Sequence, residues 1–179
     1  MRILVINNHS KHISQLLHLF SWHDVQCADF TEVDYSSIDV DLVILSWSYD
    51  HPWYSECFDT EVEYIRLTKT PVVGICMWCE LLVRAYGGET IHLPQKIEEI
   101  ISISSLHDEA KYNVYESHSY VITTLAPMLQ GLYKSDYWWE IISHRDKKHR
   151  GIQFHPEVEQ PTNDGRALFQ KVVLGCICA

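Results

Sequence analysis

The sequence lacks the run of about 20 apolar residues that a membrane-spanning helix requires. It opens on MRILVIN, whose apolar run is too short for a secretory signal. It is also poor in basic residues: 14 Lys and Arg stand against 24 Asp and Glu, which gives a formal net charge of −10. Because nucleic acids and anionic lipid surfaces are bound by basic faces, neither is expected as a partner. We expect a cytoplasmic protein.

Linkers, internal repeats and low-complexity runs are absent as well. The chain has 179 residues, the length of one ordinary domain. Its apolar content of 46% and charged content of 21% are those of a chain that buries a core. We therefore expect a single domain over residues 1–179.

Cysteine, by contrast, is plentiful. Without a secretory signal, free thiols are expected rather than disulfides. The last four residues, Cys176-Ile177-Cys178-Ala179, fit the pattern for prenylation. No basic segment precedes them, so a helix that ends in small apolar residues is the simpler interpretation. The six cysteines are Cys27, Cys57, Cys76, Cys79, Cys176 and Cys178.

Apolar runs alternate with helical spacing in the first half of the sequence. The runs predict buried strands at residues 2–7, 25–28, 41–46 and 71–76. Helices are predicted at residues 12–20 and 60–67, and a third after residue 76 that ends at a glycine pair. The alternation predicts an α/β fold: an open, mostly parallel sheet with helices on both faces.

The pattern changes after residue 90. Short alternating segments such as NVYESHSYVITT predict a few antiparallel strands added at one edge of the sheet. Further strands are predicted at residues 138–143 and 151–154. A last helix is predicted at residues 163–173, capped by Thr162 or Asn163.

The first chemical signal is Cys76, where an apolar strand ends and a helix begins at once. This is the arrangement of a nucleophile elbow, which exposes the side chain at the carboxyl edge of the sheet. The helix N-terminus is expected to lower the pKa of the thiol. The backbone N–H of Met77 is expected to point towards a developing oxyanion.

Other interpretations of Cys76 stay open. A buried structural cysteine at a strand end is common. Cys76 and Cys79 also form a C-x-x-C pair of the thioredoxin type, although the usual small or proline spacer is missing. A zinc site with Cys176 and Cys178 would need a second C-x-x-C pair, and the spacing there is C-x-C. We expect no metal and no cofactor.

The second signal is GIQFHPE at residues 151–157. A strand delivers His155, a proline fixes the backbone, and Glu157 follows two residues later. A thiol nucleophile needs a base beside it and a carboxylate that holds the imidazole in one tautomer. His155 and Glu157 are the residue types that supply these two groups.

Together these segments resemble the class I glutamine amidotransferases, which have a Cys-His-Glu triad. GICMWCELLVRAYGGE is similar to their nucleophile motif, G-x-C-x-G-x-Q followed by a helix and a glycine pair, and GIQFHPE to their G-x-Q-F-H-P-E. Ser117-His118 is similar to a segment near the bound glutamine, and GRALFQKVV to the last helix. The resemblance implies one glutamine amidotransferase-like domain over residues 1–179.

The resemblance also implies a reaction. Cys76 attacks the side-chain amide of glutamine, a thioester forms, ammonia leaves for a synthase domain or a separate synthase subunit, and water releases glutamate. His155 is then the general base and acid, Glu157 its orienting carboxylate, and the Met77 N–H half of the oxyanion hole.

Three departures from the family pattern surround one cavity. Trp78 replaces a glycine, Glu80 replaces a glutamine, and Ser46-Trp47-Ser48-Tyr49-Asp50 replaces a glycine-rich loop. The Ser48 N–H is the candidate for the second half of the oxyanion hole. Aromatic surface is expected in the pocket from Trp47, Tyr49, Trp53 and Trp78.

These departures keep two alternatives open. A glutamate at the position of Glu80 resembles the γ-glutamyl hydrolases, which transfer no ammonia. Under this alternative the pocket takes a γ-glutamyl amide with an apolar or aromatic leaving group. Trp78 and the lost glycines favour a non-catalytic module that keeps the fold, while the intact Cys76, His155 and Glu157 argue against it.

Overall fold

The computed structural model describes residues 1–49 and 54–178, so Asp50, Trp53 and Ala179 lie outside the described residues. The strands are β1 (Arg2–Asn7), β2 (Asp24–Asp29), β3 (Leu42–Leu45), β4 (Val72–Ile75), β5 (Glu89–Ser105), β6 (Lys111–Thr124), β7 (Leu129–Lys134), β8 (Trp139–His144) and β9 (His149–Ile152). The α-helices are α1 (Ile13–His18), α2 (Asp59–Leu67), α3 (Met77–Tyr86) and α4 (Gly165–Ile177).

One half of the sheet is parallel, in the order β2-β1-β3-β4-β9. All residues of β3 and β4 are buried, as expected of strands covered on both faces. Successive side chains of a strand point to opposite faces. Leu4 and Ile6 accordingly share a core with α2 and α3, while Ile3 and Val5 share one with α1 and α4. Helices therefore cover both faces of this half.

The other half of the sheet is antiparallel, and it is larger than the sequence predicted. β8 pairs with β9, and the order continues β8-β6-β5-β7, with β7 pairing again with β8. Among the described residues, four strand pairings are parallel and five are antiparallel. The predicted mostly parallel sheet with a few antiparallel edge strands is not what is observed.

The reason for this difference is the length of β5 and β6, which have 17 and 14 residues. Pro94 would end an ordinary strand because it cannot donate to the ladder. In β5 the register shifts between His92 and Ile97, so the strand passes Pro94 in a bulge and continues. Segments that look separate in the sequence therefore form one long hairpin.

The ends of the last two helices show how the chain is capped. Gly87 follows α3 with φ 82, the left-handed conformation expected of a C-terminal glycine. The N-cap residue of α4 is Asp164, not Thr162 or Asn163 as predicted. Asn163 still contributes, because its Oδ1 accepts a hydrogen bond from the Gly165 N–H at 2.9 Å. The helix runs to Ile177, four residues beyond the predicted end.

All six cysteines are free thiols, as predicted. Cys176 is buried, and its sulfur lies 2.9 Å from the carbonyl oxygen of Lys148. Within the described ranges, none of the helices has both the length and the apolar character needed to cross a membrane.

Candidate active site

Cys76 occupies a tight turn between β4 and α3. Its backbone has φ 52 and ψ −106, a region that costs a non-glycine residue about 1–3 kcal/mol. Hydrogen bonds on both sides hold the turn. The Cys76 N–H donates to the Ile152 carbonyl at 2.7 Å, and the Cys79 N–H donates to the Cys76 carbonyl at 2.8 Å. The neighbouring strand and the first turn of the helix therefore impose the strained geometry of an elbow.

Two glycines let α3 lie close against the sheet. A Cβ on Gly74 would stand 2.7 Å from the Cβ of Trp78, and one on Gly151 would stand 2.7 Å from the sulfur of Cys79. Contacts below 3 Å are not tolerated, so any larger residue would push the helix away. The glycines of the two predicted motifs thus bring Cys76 close to the end of β9.

His155 and Glu157 form a buried pair just beyond β9. His155 Nδ1 lies 3.0 Å from Glu157 Oε1, and the two residues are 1% and 2% exposed. The His155 backbone N–H donates to the Tyr115 carbonyl at 2.9 Å, which ties the pair to β6. If Nδ1 carries the proton donated to Glu157, Nε2 has the free lone pair. No residue of the described ranges makes a hydrogen bond with this Nε2.

The Cys76 thiol is buried, and this reverses one prediction. Burial raises the pKa of the thiol well above its usual value, and the carboxyl groups of Glu80, Glu116 and Glu157 raise it further. A hydrogen bond from the Met77 N–H lowers it, as expected of a helix N-terminus, but the effect is smaller. The prediction of a lowered thiol pKa was therefore wrong, because desolvation outweighs the helix end.

Glu80 belongs to a cluster of buried carboxyl groups beside the cysteine. Burial raises the pKa values of Glu80 and Glu116 to about 8, and that of Glu140 well above its usual value. His118 joins the cluster, with Nε2 2.7 Å from Glu116 Oε2, and burial lowers its pKa. His118 therefore lies within the protein core, while the adjacent Ser117 is half-buried.

The aromatic residues predicted for the pocket separate into two groups. The ring of Trp47 lies 5.2 Å from that of His155, and the ring of Tyr49 lies 6.2 Å from Trp47. Trp78 instead is 0% exposed and packs edge-on against Phe58, with ring centroids 5.7 Å apart. Its indole fills the core under α3 and presents no surface to a ligand, contrary to the prediction.

The sulfur of Cys79 packs against Gly151, and Cys79 forms no disulfide with Cys76. In the ranges 1–49 and 54–178, no group of three or more His, Cys, Asp or Glu side chains is arranged to hold a metal ion. The Ser48 residue lies half-buried in the loop after β3.

Sequence reasoning missed three residues of this region. Gln153 is completely buried, and its Nε2 lies 4.0 Å from the sulfur of Cys76. It stands inside the GIQFHPE motif, so its place beside the nucleophile could have been found. Glu116 and Glu140 gave no signal, because they lie on different strands and meet only through the sheet.

The sequence is similar to known proteins over nearly its whole length. Residues 4–174 match the sequence model of the family described as glutamine amidotransferase class-I. The chain is 29% identical over 180 residues to a GMP synthase (glutamine-hydrolyzing) subunit of Methanothermobacter thermautotrophicus, with 94% of each chain covered. It is 29% identical over 188 residues to the protein of the same name from Haloarcula marismortui, covering 98% of this chain and 95% of the relative.

A solved structure shows the same fold. A Thermoplasma acidophilum protein assigned as a GMP synthase subunit superposes with a TM-score of 0.85 at 21% identity, covering 99% of this chain and 94% of the other. Likeness at this identity concerns the fold alone. The family match spans nearly the whole sequence, and this chain therefore belongs to the class I glutamine amidotransferase family.

Proposed function

We propose that the protein hydrolyses the side-chain amide of glutamine through a thioester at Cys76 and passes the ammonia to a separate synthase subunit. One observation carries the proposal. The strained elbow at Cys76 and the buried pair of His155 and Glu157 follow the carboxyl ends of two hydrogen-bonded parallel strands, β4 and β9. Nucleophile, base and orienting carboxylate of this kind are the groups that acyl transfer through a thiol requires.

The first half-reaction uses each group once. The Cys76 thiol gives its proton to Nε2 of His155 as its sulfur attacks the amide carbon of glutamine. The Met77 N–H, and in this proposal that of Ser48, stabilise the oxyanion. Collapse of the tetrahedral intermediate breaks the C–N bond, and the imidazolium returns its proton to the leaving nitrogen. The products are ammonia and a glutamyl thioester.

The second half-reaction repeats the same steps with water. His155 takes a proton from water as the water oxygen attacks the thioester carbon. The tetrahedral intermediate then collapses: the C–S bond breaks, the imidazolium returns its proton to the leaving sulfur, and glutamate and the Cys76 thiol are released. Because burial raises the pKa of Cys76, the resting group is the thiol and not the thiolate. Proton transfer to His155 then accompanies the attack, and Glu157 stabilises the imidazolium that forms.

A separate synthase partner is proposed because of the relatives. Two relatives are named as one subunit of a glutamine-hydrolysing GMP synthase, and this chain covers 94% and 95% of their lengths. A GMP synthase partner is therefore the first to test. A complex that forms with a candidate synthase subunit, and that couples glutamine hydrolysis to amination, would support the proposal.

A second candidate function is hydrolysis of γ-glutamyl amides without ammonia transfer. Glu80 stands where the family has glutamine. Trp47 places an aromatic ring beside His155, and the ring of Tyr49 packs against Trp47. These rings would suit an aromatic leaving group. The alternative of a non-catalytic module loses its main support, because Trp78 is part of the core and does not block the site.

Labelling with a glutamine-analogue diazo-ketone tests the shared chemistry. We expect the label on Cys76, and none at that site in the Cys76→Ala variant, while the exposed Cys57 serves as a thiol that should not react selectively. Absence of labelling in the folded protein would contradict both catalytic functions. Rates with glutamine and with γ-glutamyl anilides then separate them, since preference for the anilides favours the second.

A further inference from the structure

Gln153 lies between Glu80 and the nucleophile. Its side-chain Nε2 donates a hydrogen bond to Glu80 Oε1 at 3.0 Å and lies 4.0 Å from the sulfur of Cys76. The backbone N–H of Gln153 donates to the Glu140 carbonyl at 2.8 Å, so the residue is fixed at both ends. Glu80 and Gln153 are 3% and 0% exposed, and the arrangement is therefore shielded from water.

We propose that Glu80 is a positioning residue, which holds the amide of Gln153 with its N–H₂ group turned towards the sulfur of Cys76. This inference rests on the proposed role of Cys76 as the nucleophile. An ionised carboxylate only accepts hydrogen bonds, so it can pair with the nitrogen of the amide and not with its oxygen. The family's glutamine at this position can donate or accept, and would leave either end of the Gln153 amide free to face the cysteine.

The orientation matters for the chemistry of the sulfur. An N–H group that faces Cys76 stabilises the negative charge that develops on sulfur when the thioester breaks, whereas an amide oxygen would repel it. The charge of Glu80 acts in the opposite direction, since it is the largest electrostatic contribution that raises the thiol pKa. Glu80 thus has two separable effects on Cys76, one through space and one through Gln153.

Protonation of Glu80 changes the effect that it has through Gln153. A protonated carboxyl group gains an O–H donor, and the Gln153 Oε1 is a buried oxygen with no hydrogen-bond partner among the described residues. The amide can then turn. Because burial raises the pKa of Glu80 to about 8, control of the amide is strongest above that pH.

Other titratable groups face the same region from three elements. The charge of Glu80 raises the pKa values of the thiols of Cys76, just before α3, and Cys79 on α3. The same charge raises the pKa values of two groups on β6, the carboxyl group of Glu116 and the phenol of Tyr120. On β8, Glu140 lies near Glu116, whose charge helps to raise the pKa of Glu140. Variants at Glu80 must therefore be compared with a variant elsewhere in the cluster.

The test is the rate of Cys76 alkylation by iodoacetamide against pH, read peptide by peptide by mass spectrometry on the full chain. Glu80→Gln removes the charge, and we expect the midpoint of the profile to fall by about one pH unit. Glu80→Asp keeps the charge but is one methylene short of the 3.0 Å contact, and we expect the midpoint to rise by about half a unit or more. Glu140→Gln is the matched control, with a change below about 0.3 unit.

The Asp variant is decisive. A Glu80→Asp profile that coincides with wild type would mean that Glu80 acts only as a nearby charge, which would overturn the positioning role. Gln153→Met gives a second measurement if Glu80→Asp does not fold: it removes the N–H donor, and its midpoint should also rise. An unchanged midpoint in Gln153→Met would equally contradict the proposal. Alkylation requires no turnover, so a failure of glutamine hydrolysis would be seen separately and would count against the proposed function alone.

Discussion

The indole of Trp47 stands edge-on to the imidazole of His155, with ring centroids 5.2 Å apart and planes at 86°. Lys11 adds a cation, with Nζ 5.7 Å from the centroid of Trp47 and 5.0 Å from that of Tyr49. The loop that resembles a glycine-rich loop of the family thus carries two aromatic rings here, in edge-on contact with each other. His155 is only 1% exposed beneath it.

This contact leads to a prediction about substrate choice. An aromatic pair contributes about 0.5–1.5 kcal/mol beyond its buried area. We expect Trp47→Ala to lower the ratio of kcat/KM for a γ-glutamyl anilide to kcat/KM for glutamine by up to about tenfold. Trp22→Ala, at a tryptophan that is 91% exposed, is the control and should leave the ratio unchanged. Equal ratios for wild type and Trp47→Ala would show that the ring does not contact the leaving group.

The pair of His155 and Glu157 gives a prediction about rate. Glu157→Gln keeps the size of the side chain but removes the charge that stabilises the imidazolium. We expect kcat for glutamine hydrolysis to fall by about 10²- to 10⁴-fold, with little change in KM. The exposed Glu159, two residues further on, provides the control Glu159→Gln, which should retain wild-type kcat. A Glu157→Gln enzyme of normal kcat would remove Glu157 from the mechanism.

The packing of α3 on the sheet gives a prediction about stability. A Cβ at residue 74 would meet the Cβ and the backbone of Trp78 at 2.7–3.1 Å, and neither can move without shifting the helix. We expect Gly74→Ala to lower the free energy of unfolding by about 1–3 kcal/mol, measured by urea denaturation. Gly175→Ala is the comparison, because its Cβ would meet the guanidinium of Arg150, a side-chain end that can shift without moving a helix. We expect this variant to lose less stability than Gly74→Ala: the hydrogen bonds from Arg150 to the Val172 and Gly175 carbonyls would be weakened, but alanine favours helix.

The parts of the structure that the sequence predicted are those with a local cause. Buried parallel strands require uninterrupted apolar runs, and β1, β3 and β4 have them. The elbow and the His155-Pro156-Glu157 segment are likewise contained in a few consecutive residues. Once β4 and β9 are known to be neighbouring strands, it follows that the elbow and this segment lie at the same edge of the sheet.

What the sequence did not predict depends on distant residues. Glu116 and Glu140 lie on β6 and β8, and each alone resembles an ordinary surface charge. Glu80 on α3 was singled out by its place in the family motif, but its two buried neighbours were not. Only the sheet brings them together, and Cys76 is buried among them. The burial of the thiol itself, aided by the charges of Glu80 and Glu116, reverses the predicted direction of the Cys76 pKa. The direction of the Trp78 side chain was equally hidden, since it depends on whether Phe58 lies under α3.

His149, at the opposite end of β9, is 0% exposed. The burial of this histidine leads to a prediction about stability in acid. Its Nδ1 lies 3.4 Å from the hydroxyl of Tyr86, and burial, aided by the charge of Lys147, lowers its pKa from 6.5 to about 3. The unfolded chain therefore binds a proton at this site between pH 6.5 and 3 that the folded chain does not. The contribution of His149 to the free energy of unfolding is fully present above pH 6.5. It is lost as the pH falls, by up to about 1.4 kcal/mol per pH unit.

Replacement of this histidine should remove that part of the pH dependence. We expect urea midpoints of His149→Gln to fall less steeply than those of wild type between about pH 6.5 and 5, whatever the variant's stability at pH 7. The buried carboxyl groups contribute in the opposite sense, because a raised folded pKa loses stability as the pH rises, but they are common to both proteins and cancel in the difference. The exposed His23 gives the control His23→Gln, whose curve should run parallel to wild type. If His149→Gln also runs parallel, the folded protein accepts the proton at His149, and the amino end of β9 opens to water in acid.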